Sequence, residues 1–234
     1  LRGRLRELGI ADDTMLVFCS DNGGLSDVKP DTVGGLRGHK GSVFEGGLRV
    51  PGIIEWPAVI KPRITTHPAC TMDLFPTVAD ILGLPDDVMT MPVDGTSLKP
   101  LFAGETGARA KPVPFRFGAK IALVDNRHKI LTENIGRGVF QLFDLETDPA
   151  ESRDISAAQP EVFERLKRDL LAWNAAVDSS FAGKDYPDSR VTPPDPESVA
   201  WTEHPSYQPH LAEWKDRWEY QSAIQGKRRG AKKR

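Results

Sequence analysis

The feature that most restricts the fold is a short apolar run, Met15-Leu16-Val17-Phe18-Cys19, that stops abruptly at Ser20-Asp21-Asn22-Gly23-Gly24. Apolar residues in succession, without alternation, read as a strand buried on both faces, the pattern of a parallel sheet covered by helices. Just before it, Leu1, Leu5 and Leu8 lie at helical spacing, with Gly9 as a stop signal and Ala11-Asp12-Asp13-Thr14 as a polar turn. Helix, tight connection and buried strand make half of an α/β unit. Polar residues and glycines at the carboxyl end of such a strand are where open α/β sheets hold ligands. Nothing ahead of Leu1 caps the first helix and the chain starts without Met, so the sequence reads as a piece of a longer protein.

Residues 23–49 form a glycine-rich loop, long enough to be either functional or disordered. A short strand follows between Pro51 and Pro57. The spacing predicts a helix over 69–82 with Met72, Phe75, Val78, Ala79 and Leu82 on its inner face; Gly83 ends it, and Pro76 fits if the helix proper starts near Leu74. A turn at 93–98 leads into a brief helical segment that stops near Gly104. Four short strands are predicted over 115–117, 121–124, 128–131 and 139–143, with a turn at Asp125-Asn126. An amphipathic helix from Val162 to Trp173 then presents Phe163, Leu166, Leu170 and Trp173.

The fold class is therefore α/β. Part of a helix-flanked mixed sheet (1–108) precedes a small α+β subdomain (109–182), a short antiparallel sheet with one covering helix. An irregular Pro/Trp-rich extension with a basic tail follows (183–234). It has one short helical pattern from Leu211 to Tyr220, and the concentration of Trp201, Trp214 and Trp218 predicts that it packs.

Composition removes several function classes. No apolar stretch approaches the roughly 20 residues of a membrane helix. Two cysteines exclude a disulfide scaffold. Six of the 31 basic residues sit in the last eight positions, which leaves 25 bases against 33 acids, a charge of −8, over residues 1–226. An acidic body with a short basic tail argues against a nucleic-acid-binding face.

Two places carry chemistry. Asp21 and Asn22 offer a carboxylate and an amide carbonyl, hard oxygens suited to Ca²⁺ or Mg²⁺; the same letters also make an ordinary Asp-Asn-Gly turn. Lys40, in Leu36-Arg37-Gly38-His39-Lys40-Gly41, puts a compact ammonium between glycines that let a tetrahedral oxyanion approach, though on these residues alone a solvated surface lysine is the ordinary reading. Arg37 and His39 stand beside it with surface explanations of their own. Cys19 reads as core, and Cys70 opens a helix without a partner base.

Together the segments resemble the type I sulfatase family of the alkaline-phosphatase superfamily. The resemblance rests on Val17-Phe18-Cys19-Ser20-Asp21-Asn22-Gly23-Gly24 and on the run Gly35-Leu36-Arg37-Gly38-His39-Lys40-Gly41-Ser42-Val43-Phe44-Glu45-Gly46-Gly47-Leu48-Arg49-Val50-Pro51. Asp73-Leu74-Phe75-Pro76-Thr77, Asp94-Gly95-Thr96-Ser97-Leu98 and Leu142-Phe143-Asp144-Leu145-Glu146-Thr147-Asp148-Pro149 follow in order, across residues 1–175. The resemblance implies that Asp21 and Asn22 are two of four ligands of a divalent cation, usually calcium, with magnesium as the alternative. It implies that Lys40 is the catalytic lysine that binds the sulfate, with His39 and Arg37 as further substrate-binding residues, and Arg49 is assigned to holding the loop. The family nucleophile is formylglycine, made from Cys or Ser in C/S-x-P-x-R. Neither Cys19 nor Cys70 lies in such a motif, so formylglycine is expected in a missing N-terminal half and this chain alone is expected to be inactive. The implied substrate is a sulfated small molecule or sulfated carbohydrate, in the periplasm or outside the cell; a phosphoester or phosphonate hydrolase of the same superfamily is the alternative.

Overall fold

Among the described residues, apolar strands pair into two antiparallel sheets of very different surroundings. The computed structural model describes residues 1–26, 29–186 and 199–224, and the chain divides into two compact units, Leu1–Arg190 and Val191–Arg234. In the first unit, helix α1 (Arg2–Glu7) is closed by Gly9 in the left-handed conformation, φ +68°, as the stop signal requires. Its leucines do not form a buried face: Leu1 and Leu8 are exposed. Strand β1 (Leu16–Cys19) then runs into the glycine-rich loop, which contains the single-turn helix α2 (Glu45–Leu48) and ends in β2 (Gly52–Glu55).

β1 exists where the sequence puts it, but not in the predicted setting. It pairs antiparallel with β2, Leu16 opposite Glu55 and Cys19 opposite Gly52, in a two-stranded sheet. Phe18 and Ile53 are exposed, and Cys19, expected in the core, is exposed as well. The physical reason is one-sided cover. Met15, Ile54 and Trp56 pack on Leu98, Leu101 and Phe102, whereas on the other face α1 reaches only the Leu16–Glu55 end, through Arg2 and Arg6 to Glu55, and leaves Phe18 and Ile53 open.

Helix α3 (Leu74–Ile81) begins where Pro76 allows and ends at Gly83, φ +64°. Its buried face differs from the predicted one. Phe75, Val78 and Leu82 are exposed, whereas Asp73, Pro76, Thr77 and Ala79 are buried. Polar partnering sets that face. The Arg109 guanidinium donates to both Asp73 carboxylate oxygens at 2.9 and 2.7 Å, and Thr96 N donates to Asp73 Oδ1 at 2.8 Å. The Thr77 hydroxyl donates to Asp73 O and accepts from Leu98 N. The blocks Asp73–Thr77 and Asp94–Leu98 are thus each other's hydrogen-bonding partners. Cys70 caps the 3₁₀ turn before α3, and burial pushes its thiol above the ordinary range.

After α4 (Lys99–Ala103) come β3 (Val113–Phe117), β4 (Lys120–Asp125), β5 (His128–Thr132) and β6 (Gln141–Asp144), an antiparallel meander in chain order. Helix α5 (Pro160–Phe181), longer than the periodicity alone predicts, lays Leu166 and Leu170 on Ile121, Leu123, Ile130 and Leu142. The other face of the sheet, Ala122, Leu131 and Phe143, is covered by Val43 and Phe44 of the glycine-rich loop. Full burial of side chains of this size stabilises by about 1.5–3 kcal/mol each, so the loop is seated on the sheet by its own apolar residues.

In the second unit, α6 (Gln208–Trp214) and α7 (Trp218–Ile224) replace the single predicted helix. Trp201 and Trp214 pack with Tyr207 and Tyr220 at ring-centroid distances of 5.5–6.2 Å, whereas Trp218 is exposed. The basic tail, residues 227–234, lies outside the described residues. No described helix is long and apolar enough to cross a membrane.

Candidate active site at the end of the first strand

Main-chain hydrogen bonds lace the end of β1 to the lysine-bearing loop. Gly23 N donates to Gly47 O at 3.0 Å, and Lys40 N donates to Gly24 O at 2.9 Å. The loop closes on itself through Ser42 N to His39 O at 2.9 Å and Gly46 N to Arg37 O at 2.7 Å. Such crossings need glycine: a Cβ on Gly23 would lie 1.8 Å from Gly46 O, and one on Gly46 would lie 2.1 Å from Gly38 O. The Asp21-Asn22 turn and Lys40 are therefore brought to one end of β1 by packing that tolerates no side chains.

Asp21 and Lys40 are exposed; Asn22 and His39 are half-buried. Among the described residues, neither the Asp21 carboxylate, the Asn22 amide nor the Lys40 ammonium is engaged in a hydrogen bond or an ion pair. The Ser20 hydroxyl donates to Asn22 O at 3.0 Å and steadies the turn. Arg37 is committed elsewhere. Its guanidinium donates to Glu151 O at 2.9 Å and lies 3.9 Å from the centre of the Phe44 ring. Arg49 is exposed and continues the α2 turn through its backbone N–H to Glu45 O. Upstream, the Asp31 carboxylate accepts from Gly35 N and Val33 N, and these hydrogen bonds hold its pKa below the ordinary value.

No group of three or more His, Cys, Asp or Glu side chains converges among the described residues. Among the described residues, the Asp21-Asn22 pair presents two adjacent oxygen donors on a turn with no hydrogen-bond or ion-pair partner. That donor chemistry fits a hard divalent ion and not a soft one.

Beneath the loop is an element that the sequence reading misses. Lys129, in β5, is fully buried, with Nζ 2.8 Å from Glu45 Oε1 and 2.9 Å from Glu151 Oε1. Glu45 N donates to Glu151 Oε2 at 2.6 Å. Burial pushes the Glu151 carboxyl above its usual value, against the pull of Lys129. Lys120 adds a contact from β4, donating to Gly41 O at 2.8 Å. One signal was present: a lysine flanked by His128 and Ile130-Leu131 in a strand pattern is a candidate for a buried, paired charge.

Several known proteins are similar to this chain. Residues 1–84 match a protein-family model described as Sulfatase. A sulfatase of Formosa agariphila is 31% identical over 188 residues, 70% of this chain and 34% of that protein. The crystal structure of Ps i-CgsB in complex with k-i-k-neocarrahexaose is similar with a TM-score of 0.63 and 29% identity, over 73% of this chain and 38% of that one. Phosphonate monoester hydrolase of Agrobacterium radiobacter is similar with a TM-score of 0.53 and 26% identity, over 74% and 37%. The chain spans about a third of the length of these proteins.

Proposed function

The chain belongs to the sulfatase family, and from that premise we propose that residues 20–47 contribute the sulfate-holding side of the active site of a sulfuric ester hydrolase. The observation that carries this reading is the Lys40 N to Gly24 O hydrogen bond, which puts an unengaged ammonium on the same loop crossing as an unengaged carboxylate and amide. Lys40 is the catalytic residue of this chain: its ammonium contacts the sulfate oxygens and offsets charge that builds on them as the ester bond breaks. His39 lines the same approach, and Arg37 backs the loop from the Phe44 side. Asp21 and Asn22 would hold the divalent cation, Ca²⁺ with Mg²⁺ as the alternative. When bound, it supplies further positive charge to the sulfate oxygens.

The nucleophile is assigned to sequence beyond these 234 residues, a formylglycine made in a C/S-x-P-x-R motif that this sequence does not contain. On this reading the chain by itself turns over no ester. The substrate class is a sulfated small molecule or sulfated carbohydrate; the similarity to Ps i-CgsB bound to k-i-k-neocarrahexaose supports the carbohydrate. The setting is the periplasm or the cell exterior, as for the family the sequence resembles.

In the full-length protein, Lys40→Ala is expected to lower turnover of p-nitrophenyl sulfate by roughly 10²–10³-fold. A rate near that of the unaltered protein contradicts the assignment. The similarity to phosphonate monoester hydrolase favours one rival, a phosphoester or phosphonate hydrolase on the same site. Parallel assays with p-nitrophenyl sulfate and p-nitrophenyl phenylphosphonate separate the two, and a preference for the phosphonate replaces the first reading.

A further inference from the structure

The lysine loop touches the small sheet at a point the function proposed above leaves unused. Lys120, the first residue of β4, donates from Nζ to the carbonyl of Gly41, the residue after Lys40, at 2.8 Å. Phe117, paired with Lys120 across the β3–β4 hairpin, borders the same spot. Its ring edge is 3.8 Å from where a Gly41 Cβ would stand, and the Lys120 ammonium is 6.0 Å from its ring centre. Gly41 has φ +86°, a left-handed conformation that side-chain-bearing residues resist, so the loop reverses there.

Lys40 thus sits between two fixed points. On one side its own N–H is bound to Gly24 O; on the other, the carbonyl of the next residue is held by an ammonium. A hydrogen bond from a charged donor is about twice as strong as a neutral one. Lys120 is only half-buried, and its ammonium makes no other hydrogen bond among the described residues, so the polar contribution of the side chain is directed at the loop.

Resting on the sulfate-binding role of Lys40, we propose that Lys120 is a positioning residue for this site. It pins the peptide after Gly41, and thereby fixes where the Lys40 ammonium meets a sulfate oxygen. Lys120 acts through Lys40 and does not itself contact substrate.

A double-mutant cycle in the full-length protein, read as kcat and KM for p-nitrophenyl sulfate, tests this. Lys120→Met removes the donor while keeping the stem, and is expected to lower kcat/KM about tenfold with the melting temperature unchanged. Lys120→Arg, which keeps a charged donor, recovers most of the loss. In the Lys40→Ala background the Lys120→Met change costs less than about twofold, because the residue through which it acts is gone. Two results overturn the proposal while leaving the role of Lys40 intact: an unaltered kcat/KM in Lys120→Met, or the same fold loss in both backgrounds. Normal turnover in Lys40→Ala alone overturns the sulfate-binding role, and the positioning role with it. Where Lys120→Met lowers the melting temperature, Lys120→Gln carries the same cycle with the same criteria.

Discussion

Leu123 of β4 and Phe18 of β1 come from apolar runs of the same kind, yet Leu123 is 4% exposed and Phe18 is 59% exposed. Burial of a strand is decided by what lies over it. β3–β6 have α5 on one face and Val43-Phe44 on the other, whereas β1–β2 are covered on one face by Leu98, Leu101 and Phe102. The candidate site belongs to both regions. Its carboxylate and amide stand at the end of the thinly covered sheet, while its lysine loop rests on the well-covered one. The order of the site is thus drawn from the small sheet, through Val43, Phe44, Lys120 and the Lys129–Glu45–Glu151 cluster.

The sharpest way to break that contrast is at the buried cluster. Lys129→Met leaves Glu45 and Glu151 facing each other without their counter-charge, and is expected to destabilise the 234-residue chain by about 3–5 kcal/mol in urea unfolding. A loss below about 1 kcal/mol would mean that the two regions are not joined there. Next comes Leu170→Ala, which opens a cavity between α5 and the sheet at a residue with no exposed surface. The expected loss is about 3 kcal/mol, and the same measurement checks it.

Acid provides a third, smaller handle on the small sheet. The Arg127 guanidinium, hydrogen-bonded to the Asp144 carboxylate, lowers that pKa to about 2. A depressed carboxyl contributes stability that is fully present above its unfolded value near 4 and is lost as pH falls toward about 2. Because Arg127 is 47% exposed, solvent screening holds the contribution to about 1–2 kcal/mol. Asp144→Asn should therefore be less stable than the unaltered chain at pH 7, with the gap closing between pH 4 and pH 2 in parallel melts. The smallest effect is expected at the open sheet: Phe18→Ser should change stability by less than about 0.5 kcal/mol. A loss comparable to Leu170→Ala would show that the outer face of β1 is covered after all.

The sequence made the strands and helix of the small sheet legible because the signals that mark them are local. Short apolar runs such as Ile121–Val124, the Asp125-Asn126 turn and the Leu166/Leu170 stripe each act within one element or between neighbours. The setting of β1 was not local: Met15–Cys19 carries the pattern of a doubly covered strand, and the pattern says nothing about which covers are at hand. The stripe on α3 misled for a different reason. Arg109 comes 36 positions after Asp73, and its bidentate ion pair, not the Phe75-Val78-Leu82 stripe, selects the buried face.

At the candidate site, donor chemistry and glycine spacing pointed to Asp21, Asn22 and Lys40, and the family resemblance supplied the roles proposed for them. Their supports were not. Lys120 meets Gly41 across 79 positions, and Lys129 meets Glu45 across 84. Only the oddity of a lysine in an apolar strand pointed to such a partner.

The most direct measurement is a crystal structure of the full-length protein soaked with calcium and inorganic sulfate. Sulfate oxygens within hydrogen-bonding distance of Lys40 Nζ, beside a calcium ion on the Asp21 carboxylate and the Asn22 amide oxygen, are the expected result. A sulfate bound elsewhere, with the Lys40 ammonium and the Asp21 carboxylate turned away from each other, would contradict the account.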